Sequence, residues 1–169
     1  MAPVTLLLLV LLGAALPDLM PDALGLSTWP PDLFALLALY LASRARAYAA
    51  VGWSITLGVL KDCLSLDPLG THAFVLGFVA WLLAEGGRGR GRLDGVAGLL
   101  IIFLGTCLAG WVHALRVLPY ASVGPLGPAF GGAVMTALWT TVLAIPLSAL
   151  LDRTQALEGL LGRRRALSA

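Results

Sequence analysis

Long uncharged stretches alternate along the chain with short gaps that hold charges and prolines. Each apolar stretch predicts one membrane helix, because a spanning helix needs about 20 mostly apolar residues. The predicted helices are 3–16, 30–43, 47–61, 68–84, 95–113 and 129–151, followed by a tail over 152–169. The pattern therefore predicts one all-α integral membrane domain, a bundle of about six transmembrane helices over residues 1–169.

The apolar cores of the second and third segments, 33–43 and 47–60, are short. At 1.5 Å per residue they rise about 16 and 21 Å, less than the roughly 30 Å of the hydrocarbon core. Each must recruit flanking residues, thin the bilayer or pack inside the bundle. Alternatively, the two form one helix pair folded at Arg44 and Arg46, which would leave four spanning helices.

The last apolar stretch is long, since no charged residue occurs between Arg116 and Asp152. Its first third is rich in proline and glycine, which predicts a loop over 118–128 before the final helix. Pro146 is expected to kink that helix rather than end it. At the other end of the chain, residues 1–16 carry no Lys or Arg, which favours a retained first helix over a cleaved signal peptide.

Composition supports a membrane protein, because 59% of the 169 residues are hydrophobic and only 12% are charged. Soluble domains carry about 45–50% apolar and about 25% charged residues. The positive charges lie at the ends of apolar segments rather than on one face. They therefore indicate membrane topology, and we expect no nucleic-acid partner.

Lys and Arg residues are distributed unequally between the two predicted sides of the membrane. If the gaps between successive predicted helices are numbered from the N-terminus, the Lys and Arg residues of gaps one, three and five are only Lys61 and Arg116. Gaps two and four and the tail hold the rest, namely Arg44, Arg46, Arg88, Arg90, Arg92, Arg153, Arg163, Arg164 and Arg165. Because basic residues accumulate on the cytoplasmic side, both termini are predicted to be cytoplasmic.

The sequence contains none of the common catalytic or cofactor-binding motifs, so we expect neither an enzyme nor a cofactor or metal. His72 and His113 fall on different predicted helices, where a lone histidine more often makes a local hydrogen bond than binds metal. Cys63 and Cys107 lie in or beside apolar stretches and are expected to be inert.

The densest polar segment, 61–70, joins the third and fourth predicted helices on the outer side. Ionisable groups beside the hydrocarbon are costly, which makes Asp62 a candidate functional residue. The structural alternative, which we favour, is that Asp62 accepts backbone N–H bonds across the turn. Asp67 would then cap the fourth helix, with Pro68 at its first position.

This segment and the residues before it resemble the MreD family of rod shape-determining proteins. The resemblance covers about residues 30–84, and its most specific part is Asp-x-Leu-Ser-x-x-Pro-Leu-Gly. By position, the motif residues are Asp62, Leu64, Ser65, Pro68, Leu69 and Gly70. The family also resembles, in fold, the substrate-binding subunits of energy-coupling-factor transporters.

The resemblance implies a non-enzymatic component of the bacterial cell-elongation machinery in the inner membrane. It would bind MreC, and through it link MreB filaments to RodA and its partner transpeptidase. The rival hypothesis is a transporter subunit that binds a small molecule between its helices, which predicts a cavity with convergent polar groups. An intramembrane enzyme would need a nucleophile and a base, which the sequence does not offer.

Overall fold

The computed structural model describes residues 2–19, 28–45, 47–65, 69–86, 95–117 and 126–154. All regular structure in these ranges is α-helical. The six helices are α1 (Ala2–Leu19), α2 (Leu33–Arg44), α3 (Ala47–Leu64), α4 (Thr71–Gly86), α5 (Val96–Val117) and α6 (Leu126–Thr154). The all-α class is therefore confirmed.

Helix α2 is the centre of the bundle. Its residues from Leu33 to Ala42 are all buried, and α2 contacts each of the other five described helices. A helix that is apolar on every side is expected to be buried on every side. Its 12 residues rise only about 18 Å. Of the possibilities open for this short segment, packing inside the bundle is the one observed.

Glycine permits a close contact between α3 and α4. A Cβ atom added at Gly58 would lie 2.4 Å from the Cα atom of Ala73, so no side chain fits there without separating the backbones. Gly77 similarly faces Ile55, whose Cγ1 atom would lie 2.7 Å from an added Cβ. Small residues at such crossings are how membrane helices approach each other.

At the C-terminal end of α2, polar contacts join this helix to α6. Arg44 forms a 2.7 Å salt bridge with Asp152 and lies 4.2 Å from the ring centre of Tyr40. The Tyr40 hydroxyl also donates a 2.7 Å hydrogen bond to Asp152. Arg44, expected only as a topology signal, therefore also fixes the end of the central helix.

Two of the described helices are long and apolar enough to cross a membrane, over Val96–Arg116 in α5 and Gly127–Arg153 in α6. Three shorter apolar helices cover Val4–Ala15, Leu33–Arg44 and Thr71–Glu85. Pro146 lies inside α6 without ending it, as expected. Six complete spans, and their orientation, remain predictions.

Several helix ends differ from the expected positions. Helix α3 continues to Leu64 rather than 61, α4 begins at Thr71 rather than 68, and α6 covers 126–154 rather than 129–151. The turn between α3 and α4 is therefore shifted three residues towards the C-terminus, and the first part of the polar segment, 61–64, is helical. Of the predicted topology residues, those outside the described residues are Arg46, Arg88, Arg90, Arg92, Arg163, Arg164 and Arg165.

Candidate functional site

The carboxylate of Asp62, in the last turn of α3, anchors the start of α4. Its Oδ2 atom accepts hydrogen bonds from the backbone N–H groups of Gly70 at 2.9 Å and Ala73 at 3.3 Å. Its Oδ1 atom accepts from the backbone N–H of His72 at 3.0 Å. The first N–H groups of a helix lack partners within the helix, so Asp62 caps α4 from a neighbouring helix.

The His72 side chain also forms a hydrogen bond with the Asp62 carboxylate. Its Nδ1 atom lies 2.8 Å from Oδ1 of Asp62. Because an ionised carboxylate only accepts hydrogen bonds, Nδ1 carries the proton that faces it. Asp62 is only 1% exposed and His72 4% exposed, so this contact is shielded from solvent. The arrangement holds the α3–α4 turn in one geometry.

Two contacts join this turn to α5. The imidazole rings of His72 and His113 stack with their centres 5.6 Å apart and their planes 27° apart. One residue earlier in α4, the hydroxyl of Thr71 accepts a 2.5 Å hydrogen bond from Nη1 of Arg116. The start of α4 is therefore held between the ends of α3 and α5.

A partly buried ion pair lies at the start of the central helix. The Lys61 ammonium pairs with Asp32, whose other carboxylate oxygen accepts a 3.0 Å hydrogen bond from the backbone N–H of Ala35. The backbone N–H of Asp32 donates to the Thr140 hydroxyl of α6 at 2.7 Å. Asp32 is thus the N-cap of α2 and connects α2, α3 and α6.

Asp32 precedes α2, and its surroundings favour the ionised carboxyl. Burial raises its pKa, but the positive charge of Lys61 and the hydrogen bonds from Ala35 and Lys61 outweigh that effect. The pKa of Asp32 is therefore below its ordinary value.

The remaining motif residues face outward or shape the turn. Leu64 is 51% exposed and Leu69 71% exposed, and Ser65 is also exposed. Gly70 has a φ of +94°, a conformation that side-chain-bearing residues rarely adopt. Pro68 lies outside the described residues. The motif thus has an inward, structural residue in Asp62 and an outward apolar surface formed by Leu64 and Leu69, here called the outer turn surface.

The expectation that Asp62 accepts backbone N–H bonds is confirmed, whereas the expected position of Pro68 is wrong. Helix α4 begins at Thr71, so Pro68 does not occupy its first position. The backbone N–H groups of His72 and Ala73, in the first turn of α4, donate to Asp62. Asp67 itself lies outside the described residues.

Sequence reasoning missed the two histidines and the Asp32–Lys61 pair as parts of this site. His72 and His113 are 41 positions apart, and Asp32 and Lys61 are 29 apart. No local pattern links residues so distant in the chain. The available signal was weak: all four are ionisable groups at predicted helix ends, which in a membrane protein tend to face the bundle interior.

The geometry gives Asp62 a structural role. Both oxygens of Asp62 accept hydrogen bonds from α4, so its carboxylate is committed to holding that helix. In the part of the chain that the structure describes, no group of three or more His, Cys, Asp or Glu side chains could hold a metal ion.

Comparison with known proteins gives one family. The family model described as rod shape-determining protein MreD matches residues 1–154, nearly the whole chain. The match extends the similarity well beyond residues 30–84 and includes α5 and α6. No curated protein and no solved structure matches the chain.

Proposed function

The chain belongs to the MreD family of rod shape-determining membrane proteins, and from this we propose that it is a non-enzymatic scaffold of the bacterial cell-elongation complex. It binds MreC and thereby connects MreB filaments with RodA and its partner transpeptidase, which organises peptidoglycan synthesis. The family match over residues 1–154 is the observation that carries this proposal.

The α3–α4 turn is suited to a docking role. Asp62 and His72 fix the inner side of the turn through hydrogen bonds of 2.8 to 3.0 Å. Leu64 and Leu69 are apolar yet more than half exposed. A preorganised apolar surface binds with a smaller loss of conformational entropy than a flexible one. We propose that MreC binds at this outer turn surface.

In this proposal the protein spans the bacterial inner membrane several times, with both termini in the cytoplasm and the outer turn surface on the opposite side. The distribution of Lys and Arg residues supports that orientation. Helices α2 and α5 support the turn from within the membrane, since α2 contacts both α3 and α4 and α5 contacts α4. The resulting contacts with partners are packing contacts, and no chemical step is required.

The test is affinity purification of the tagged full-length protein from its native membrane in mild detergent, followed by mass spectrometry. Leu64→Ala and Leu69→Ala remove the outer turn surface. Leu100→Ala and Leu104→Ala are matched controls, because these leucines of α5 are 54% and 62% exposed. Each turn substitution removes an apolar contact worth about 1.4 kcal/mol or more, so each should lower MreC recovery at least about tenfold.

Recovery of MreC with the elongation synthases supports the scaffold, and a selective loss with the turn variants supports the docking surface. Equal recovery in all variants would contradict docking at the turn. Recovery of an ATPase pair with a membrane coupling subunit, and no MreC, would contradict the scaffold and support the transporter hypothesis.

A further inference from the structure

A cavity of about 280 Å³ lies between α1, the start of α2, the end of α3 and the middle of α6. Leu64 of the outer turn surface also lines the cavity, but ligand binding in the cavity is a proposal independent of the scaffold contacts described above. Ligand sites in proteins are typically cavities of about 300–1,000 Å³ with mainly apolar walls and a few polar groups. Its volume is just below that range, which limits it to a small or slender ligand.

Part of the cavity wall is apolar. Gly13 and Ala14 of α1 line the cavity together with Leu33 and Phe34 of α2. A Cβ atom at Gly13 would lie 3.2 Å from the Phe34 ring, so α1 approaches α2 closely here. Because Gly13 and Ala14 carry little or no side chain, space remains beside this contact. Such walls suit a hydrocarbon chain.

Polar groups form another part of the cavity wall. Lys61 and Asp32 form their ion pair there, and Ser65 lies one helical turn beyond Lys61. The two charges cancel, so the cavity does not demand a ligand with a particular net charge. An ammonium carries three N–H donors, of which Asp32 takes one. Lys61, which is 20% exposed, can therefore donate to an oxygen atom of a ligand.

The cavity borders the most loosely attached helix. Helix α1 packs mainly on α2, and the other large side chains along it, such as Val4, Leu8 and Leu11, are exposed. A ligand from the bilayer can therefore reach the cavity beside α1 without crossing the core. We propose that the cavity binds a single-chain amphiphile from the membrane, with its acyl chain against Gly13 and Phe34 and an oxygen-bearing head at Lys61.

The test uses a palmitic acid analogue that carries a photoreactive diazirine, added at a small mole fraction to the full-length protein in lipid nanodiscs. Cross-linked peptides are located by mass spectrometry. The expected result is labelling at 13–14 or 30–34 that an excess of palmitic acid or lysophosphatidylglycerol suppresses. Suppression by only one of these two competitors shows whether the bound amphiphile is a free fatty acid or a lysophospholipid.

Two variants and a control test whether the labelling depends on the cavity. Ala14→Phe fills the cavity and should lower this labelling about tenfold or more, the equivalent of 1.4 kcal/mol. Ala15→Phe changes the next residue, which is exposed but does not line the cavity, and should leave labelling unchanged. Thr136→Leu fills the cavity from α6 and replaces Ala14→Phe if that variant fails to fold.

Labelling spread over the exposed faces of α5 and α6, or equal labelling in Ala14→Phe and Ala15→Phe, would overturn the proposal, because ordinary boundary lipid would explain it. Hexadecylamine tests the head group: its cationic head cannot accept a hydrogen bond from Lys61, so it should compete about tenfold less well than palmitic acid. Equal competition would overturn the assignment of the head to Lys61.

Discussion

Replacing Asp62 with alanine is the most informative perturbation of the α3–α4 turn. The change removes the acceptor of three backbone N–H groups, those of Gly70, His72 and Ala73, together with the partner of the His72 ring. Asp62 and His72 are both buried, so water replaces these bonds poorly. Asp62→Ala therefore leaves several donors without acceptors.

The size of the effect follows from those contacts. A buried donor that loses its acceptor costs about 1–3 kcal/mol. The cost is smaller for the backbone N–H of Gly70, because Gly70 is half-buried and this group can bond to water instead. A hydrogen bond to a charged group, such as that from the His72 ring to the Asp62 carboxylate, is worth about 1.5–3 kcal/mol. Together these losses give an expected decrease of about 3–5 kcal/mol in the free energy of unfolding, and 3 kcal/mol corresponds to about a 150-fold change in the unfolding equilibrium.

The assay is unfolding in mixed detergent micelles as the fraction of sodium dodecyl sulfate rises, followed by tryptophan fluorescence. Hydrogen–deuterium exchange then locates the change, since the amides of Gly70, His72 and Ala73 should lose protection before the rest of α4. Cys63→Ala is the control, because Cys63 is the adjacent residue and is exposed. Its stability should stay within about 0.5 kcal/mol of the unaltered protein.

A double-mutant cycle with His72→Ala separates the imidazole contact from the backbone contacts. If Asp62→Ala costs less than about 1 kcal/mol and the three amides keep their protection, the carboxylate does not hold α4, and the structural role assigned to it is wrong. If exchange increases throughout the protein rather than at the start of α4, the effect is not local capping.

Three further predictions concern helix contacts, the turn and topology. Gly58→Ala should destabilise by about 1–3 kcal/mol in the same micelle assay because its Cβ meets α4, whereas Gly52→Ala, with open space around it, should be neutral or slightly stabilising; equal effects would refute the close approach. Gly70→Val should cost about 1–3 kcal/mol through backbone strain alone, and Gly70→Asn clearly less; a neutral Gly70→Val would contradict the positive φ. The third prediction removes three positive charges between the fourth and fifth predicted helices, through Arg88→Gln, Arg90→Gln and Arg92→Gln. This change should misplace the flanking helices in the membrane, as measured by the accessibility of introduced cysteines to an impermeant reagent. Unchanged accessibility would mean that other charges set the topology.

The sequence was sufficient for features that depend on local composition. Uncharged stretches separated by charges and prolines predicted six helices and a membrane protein. Asp62 stood out because an acid beside apolar segments must find partners. The nearby motif also pointed to the MreD family, which the match over residues 1–154 confirms. Each of these inferences needs only neighbouring residues.

Tertiary structure decided which helix is central and which residues meet. A short apolar segment can thin the bilayer or become buried in the bundle. Only the contacts of α2 with all the other described helices show that α2 is buried. The ion pair of Asp32 with Lys61 and the stacking of His72 on His113 depend on how separate helices pack. The start of α4 at Thr71 likewise follows from its cap on α3, since a carboxylate supplied by another helix leaves no local signal in the sequence.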